Sequence, residues 1–405
     1  MAKEWSTGGF GALCLGQFLA HQTSLTFSVL IPLLATEWGL RASQAGLILG
    51  GFQLGTLGAY LIVGFLLDRV RSRPIMAWSA FLVGAGDLFF AAAARDFTSG
   101  FALRLLVGVV IGGLYLPALK HIADTIPPWR RGAATGIYVA VIVAAYAAPL
   151  FYVGLLAPRV GWRPTMVGVG VLEMAGAVVL ALKVPSIPAP VRVPTGAGRY
   201  LTDVLRNDRA RRTIVAYTGH NWELFGMWGW LAPFMVAALT TRGVSSEAAI
   251  AWGGLLAAGA IGLGGGVGAV FGGRISDRLG RARAAMMILA LSLACSLGFG
   301  WLLRAPIVLL VAAGLLYGTV ALADSPAYSA NLMEVVPPQS LGGAFSFQML
   351  TGWAATAVAP AAFGMMLDLL APAGPLAQWG SAFGLMAIGP LVGMIALAPL
   401  RMKTG

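Results

Sequence analysis

Midway along this chain, His220-Asn221-Trp-Glu223-Leu-Phe-Gly-Met-Trp228-Gly-Trp230 sets an imidazole, a carboxylate and three indoles inside otherwise apolar sequence. A carboxyl group in such surroundings can exchange a proton near neutral pH, and His220 titrates in the same useful range. Asp324 stands two residues before Pro326, a residue that frees a helix carbonyl and favours a kink. His21, Gln22, Arg104, Tyr115, Asn221, Trp228 and Tyr328 complete a set of polar and aromatic side chains within apolar runs. Their chemistry is proton exchange and solute binding, with aromatic faces able to line a pocket or clasp a cation. Nothing in the set pairs a nucleophile with a base, so an enzyme is not expected. Three histidines, with Cys14 and Cys295 both inside apolar runs, make no zinc or disulfide framework. The run Gly262–Gly268 superficially resembles a nucleotide loop, but it lacks a preceding strand and a Gly-Lys-Ser/Thr, and helix packing accounts for it. No cofactor and no metal are expected.

The elements that must position these residues are plain. The chain is 58% hydrophobic and 10% charged, with mean hydropathy +0.82. Apolar runs lie near 10–35, 43–67, 74–94, 99–123, 132–157, 164–184, 212–239, 248–273, 284–303, 306–333, 342–370 and 380–400. Each is long enough to cross a bilayer as a helix, and too continuous and too long for a barrel strand. The fold class expected is an all-α membrane protein of twelve spans.

Polar side chains inside these spans fall on stripes, which face protein or water because lipid cannot hydrogen-bond them. Span one carries Gln17, His21, Ser24 and Ser28 on one face; span four carries Arg104, Gly108, Gly112 and Tyr115. Span seven carries Tyr217, His220, Asn221, Glu223, Trp228 and Trp230, and span ten Tyr317, Asp324, Tyr328 and Asn331. The expected solute and proton pathway is therefore His21, Gln22, Arg104, Tyr115, His220, Asn221, Glu223, Trp228, Asp324 and Tyr328. Arg104 is expected to bond polar groups of span one, such as Gln17, His21 or Gln22. Asp87 and Glu173 stand alone in spans three and six and read as structural acids. Lys120, His121 and Asp124, near the cytoplasmic end of span four, are candidates for an inner gate.

Lys and Arg number 27 against 15 acids, a net charge of +12. Most of the bases fall in alternate loops, as the positive-inside rule requires, which places both termini in the cytoplasm. Nucleic acid is not needed to explain the charge. The first run lacks a small-residue cleavage site and reads as a span, not a signal peptide. Residues 185–211 form a Pro- and Gly-rich linker ending in a basic run, between six-span halves at 1–184 and 212–405. Tyr200–Asn207 could form a short surface helix there.

The halves repeat. Gly64-Phe-Leu-Leu-Asp68-Arg69-Val-Arg71-Ser-Arg73 recurs as Gly273-Arg-Ile-Ser-Asp277-Arg278-Leu-Gly280-Arg281-Ala-Arg283. Pro117-Ala118 recurs as Pro326-Ala327, and the loops after them share an acid (Asp124, Glu334), Pro-Pro, Gly and Ala at one spacing. The charged loop resembles the signature loop of the major facilitator superfamily. The second copy fits through Gly273, Asp277, Arg278, Gly280 and Arg281; the first has Arg71 where the family prefers glycine. Arg104-Leu-Leu-Val-Gly108-Val-Val-Ile-Gly112-Gly113 resembles a second family motif, and Trp129–Gly132 and Gly161–Arg163 are common family punctuation.

The resemblance implies two six-helix halves related by pseudo-two-fold symmetry, a cavity lined by spans one, four, seven and ten, and transport by alternating access. It also implies a conformational latch at Asp68, Arg69, Asp277 and Arg278. The expected function is secondary active transport, coupled to protons, of a small organic solute such as a monoanion, by a monomer in the cytoplasmic membrane. Spans eight and eleven lack an internal Arg or Lys, which disfavours a dicarboxylate clamp. The alternatives are a drug or metabolite exporter, weakened by Ala148 before Pro149 in span five, and a non-transporting solute sensor, for which no signalling domain is present.

Overall fold

The protein is described in a computed structural model that covers residues 7–67, 69–187 and 204–401. Among these residues the structure is helical throughout, with no strand. Eleven helical stretches are long and apolar enough to cross a membrane. Two shorter apolar helices, α1 (Thr7–Ala20) and α2 (Thr26–Trp38), occupy the first apolar run. Then come α3 (Ala42–Leu67), α4 (Ser72–Ala93), α5 (Phe97–Thr125), α6 (Pro128–Val160), α7 (Trp162–Lys183) and α8 (Asp208–Thr240). The eighth span is α9 (Ser246–Ala258), a π-helical stretch at Gly259–Gly264, and α10 (Gly265–Leu279). The ninth is α11 (Arg281–Phe299); α12 (Ile307–Ala323) and α13 (Ser325–Val335) make the tenth. The last two are α14 (Pro338–Leu369) and the pair α15 (Pro375–Met386) and α16 (Ile388–Arg401).

Large apolar side chains are exposed and several ionisable ones are buried, unlike a soluble domain. Leu61, Trp78, Leu182 and Val308 are each more than 60% exposed, whereas Arg104, Asp87, Glu173 and Glu223 are buried. Helix ends are satisfied locally. Asp96 accepts from the Ser99 amide at 2.8 Å while the Ser99 hydroxyl takes the Asp96 amide, a reciprocal cap at the start of α5. These bonds hold the exposed Asp96 carboxyl below the usual carboxylate range. Asn207 caps α8 through the Ala210 amide at 3.1 Å.

The chain divides into two compact units, residues 7–40 with 51–187, and residues 41–50 with 204–401. In the first, Leu13, Phe52, Met76, Val107, Ile111 and Tyr138 belong to one buried cluster. In the second, the glycine run of span eight does pack a helix: a Cβ on Gly268 would come within 2.0 Å of the Thr319 carbonyl oxygen in α12. Only a bare backbone allows that approach.

Three spans are not the uninterrupted helices that their hydropathy suggests. Span one breaks at residues 21–25, span ten at Asp324, and span twelve at Ala387. In span ten Pro326 sits in the first turn of α13, where its missing N–H does no harm, and α12 ends just before it. The matching Pro117 lies inside the unbroken α5, so the repeat carries the residue without the break.

Candidate functional site

In the second unit α8 carries the site. His220 and Glu223 lie one turn apart and reach different neighbours. His220 Nδ1 lies 2.7 Å from Asp324 Oδ1, and both side chains are buried. Asp324 Oδ2 accepts from the Tyr328 hydroxyl at 2.7 Å. The break in span ten thus presents Asp324 to an imidazole on one oxygen and a phenol on the other. Tyr217 stacks on His220 at 5.9 Å and Tyr328 meets it edge-on at 5.8 Å. An imidazole–carboxylate pair enclosed by aromatic rings is shielded from water, so its charge state governs how tightly α8 and the tenth span hold together.

Glu223 faces α11. Its Oε1 accepts from Ser292 at 2.7 Å and from Ser296 at 2.6 Å, and the Ser296 hydroxyl meets the Tyr317 hydroxyl at 2.9 Å. Three hydroxyls on two helices therefore surround one carboxyl group. Asn221 donates to the Tyr217 carbonyl at 2.9 Å, and Gly352 of α14 packs against both residues. Trp228 packs on Phe225 at 5.4 Å; Trp230 donates to the Pro360 carbonyl at 2.9 Å and stacks on Phe363, a packing role.

In the first unit Arg104 reaches span one at a residue other than the three given as examples. It bonds neither Gln17, His21 nor Gln22. Its guanidinium reaches Thr23, donating to the hydroxyl and, at 3.0 Å, to the carbonyl, and lies 3.5 Å from Asp87. These bonds are made at the break in span one. With residues 21–25 out of helical register, the Thr23 carbonyl is turned toward α5 and its amide toward α7, where Glu173 Oε1 accepts it at 2.8 Å. Asp87 and Glu173 are therefore not isolated acids. Both belong with Arg104 in one buried cluster, and the Phe52 ring lies 4.4 Å from the guanidinium carbon. His21 keeps to its own turn, Nδ1 at 2.9 Å from the Gln17 carbonyl, with Tyr146 alongside. Gln22 donates back to the Phe18 carbonyl at 2.6 Å. Tyr115 packs on Tyr138, whose hydroxyl meets Gln17 at 3.4 Å.

The charged loops differ between copies. Asp277 pairs with Arg281, one turn on, at 2.5 Å, and Arg281 continues to Glu334 at 3.0 Å. Arg278 is exposed and makes no ion pair among the described residues. The cation paired with Asp277 is thus Arg281. Gly280 stands between at φ +82, a conformation that suits glycine alone. Arg71, at the matching position of the first copy, is extended at φ −61 and reaches Ser186 at 3.4 Å. Arg69 is exposed; Asp68 lies outside the described residues, as does 188–203, which takes in most of the linker and half of the Tyr200–Asn207 segment. Lys120 and Asp124 pair at 2.8 Å across one turn, and His121 beside them is buried.

The residues missed in sequence are hydroxyls: Thr23, Ser292 and Ser296. A Ser or Thr in an apolar run satisfies itself on a carbonyl four residues back and leaves no signal of its own. The spacing of Ser292 and Ser296, one turn apart, was the available clue.

A sequence model of the Major Facilitator Superfamily matches residues 13–319. The chain is 25% identical over 405 aligned positions to the hexuronate transporter of Bacillus subtilis, covering 90% of each chain. It is 30% identical over 292 positions to an MFS-type efflux pump of Mycolicibacterium smegmatis, with 68% of this chain and 63% of that protein aligned. A crystal structure of a bacterial homolog to the human lysosomal transporter Spinster superimposes with a TM-score of 0.77 at 19% identity, covering 100% of this chain and 98% of the other.

Proposed function

We propose that this chain, which belongs to the major facilitator superfamily of multi-pass membrane transporters of small solutes, is a proton-coupled secondary transporter of a small organic anion. The observation that carries this reading is the buried His220–Asp324 pair at the break of span ten. A proton arriving at Asp324 cancels the attraction that joins α8 to the tenth span; its departure restores it. Glu223, on the next turn of α8, offers a second carboxyl whose hydroxyl partners serve either charge state: they donate to a carboxylate, and Ser296 and Tyr317 can also accept from an acid. Proton binding is thereby coupled to helix contacts, which is what alternating access requires.

The anion assignment draws on the hexuronate named for the Bacillus relative, and on His21 and the tyrosines as donors. The efflux pump among the relatives favours the second reading, export by proton antiport. In either reading Asp277–Arg281–Glu334 acts as the conformational latch, the protein works as a monomer in the cytoplasmic membrane, and both termini face the cytoplasm.

The test is transport in proteoliposomes with hexuronates and other monocarboxylates under an imposed pH gradient. Accumulation that follows the gradient, and is lost in Asp324→Asn, supports the proposal. Uptake indifferent to the gradient rejects proton coupling; the sign of the gradient that drives flux separates symport from antiport.

A further inference from the structure

The cluster around Arg104 is used by no step proposed above. Every span of the first unit contributes to it: Thr23 at the break of span one, Phe52 of α3, Asp87 of α4, Arg104 of α5, Tyr152 of α6 and Glu173 of α7. Its charged groups are one guanidinium and two carboxyls, all buried; the Tyr152 phenol lies within electrostatic reach of both acids.

Arg104 cannot neutralise both. It spends one terminal nitrogen on the Thr23 carbonyl and the other on the Thr23 hydroxyl, approaches Asp87 only to 3.5 Å, and leaves Nε without a bond. Glu173 receives the Thr23 amide on Oε1, while Oε2 finds no hydrogen-bond partner. Neither Asp87 oxygen has a hydrogen-bond partner either, and the two acids lie within electrostatic reach of each other. Ionised carboxylates are acceptors only, so two can bond each other only when one carries a proton. Two buried negative charges against one positive leave one uncompensated, and a group so placed neutralises itself by binding a proton.

We propose that Asp87 and Glu173 form a proton-binding site in which the two carboxyl groups share one exchangeable proton beside Arg104. Carboxylate pairs of this kind hold one proton where both cannot ionise. Exchange makes and breaks a single O–H bond, with water as the proton's source and acceptor. Thr23 ties the site to the break in span one, because its amide serves Glu173 and its carbonyl and hydroxyl serve Arg104. The site stands whether or not protons drive transport through His220 and Asp324.

The experiment is pH-difference infrared spectroscopy on the purified full chain carrying Glu223→Gln and Asp324→Asn, so that the acids of the second unit are silent. The expected result is a pH-dependent C=O band of a protonated carboxyl that is lost on adding either Asp87→Asn or Glu173→Gln, because the remaining acid then pairs with Arg104 as an anion. Absence of the band in the background protein, or its persistence unchanged in both variants, overturns the proposal. If the neutral variants do not fold, Asp87→Glu and Glu173→Asp must each keep the band and shift its frequency or its titration midpoint; a band that neither moves also overturns it. Transport is not the readout, so failure of the coupling proposed for the second unit leaves this result distinct.

Discussion

His220 Nδ1 stands 2.7 Å from Asp324 Oδ1, with each side chain at most 3% exposed. Breaking a buried pair by removing one partner costs about 3–5 kcal/mol, whereas replacing both partners with apolar groups is often neutral. Asp324→Leu alone should therefore lower thermal stability in detergent more than His220→Leu/Asp324→Leu together. Additive losses in that cycle would show the two residues to be energetically independent.

Glu223→Gln keeps an acceptor oxygen for Ser292 and Ser296 while removing the exchangeable proton. The variant should stay within about 1 kcal/mol of the parent, the size of an ordinary hydrogen bond. Its transport should lose part of its dependence on pH. A wild-type pH profile measured in Glu223→Gln would remove Glu223 from the coupling scheme.

Glycines of span eight divide sharply. Gly268→Ala forces a Cβ to within 2.0 Å of the Thr319 carbonyl, while the same change at Gly266 meets nothing within 4 Å. Overpacking of this kind costs about 1–3 kcal/mol, so Gly268→Ala should lose folded yield and melt earlier. Gly266→Ala serves as the silent control. Equal behaviour of the two on a size-exclusion melt would contradict the close helix contact.

On the loop of the second unit, Arg281→Ala should change cysteine labelling at the cytoplasmic ends of the spans, whereas Arg278→Ala should not. The pairs Arg281 makes with Asp277 and Glu334 are largely exposed and each worth about 0–1 kcal/mol, so the effect belongs in the balance of states and not in the melting point. A shift in Arg278→Ala alone would return the latch to that residue.

How far the sequence could be read depended on whether a residue announced itself by charge. His220, Glu223, Asp324 and Arg104 were legible because ionisable groups at bilayer depth are rare and have work to do. Their partners were not legible to the same degree. Asp87 and Glu173 were visible as acids, but their proximity depends on the packing of α4 against α7, which hydropathy does not encode. That Arg281, one turn from Asp277, holds the same carboxylate was not legible either, because nothing in the charged run ranks it above Arg278. The helical spans followed directly from continuous apolar length, while their interruptions did not follow as directly: Pro326 and Pro390 stand just after the breaks of spans ten and twelve, but nothing of the kind marks the break of span one.

The break in span one holds no proline and no glycine: residues 21–25 read His-Gln-Thr-Ser-Leu. By local rule the segment is a helix, and what prevents it is Arg104 from α5 and Glu173 from α7 claiming the Thr23 backbone. Neither claimant exists when the first span enters the membrane, because both follow it in the chain. The span is therefore expected to insert as one rod and to open during assembly, when the fourth and sixth spans arrive. A peptide of residues 7–38 in bilayers should be continuously helical by amide hydrogen exchange, and the bend should appear only with the rest of its unit. The order of biogenesis is thus written into the place where the first span comes apart.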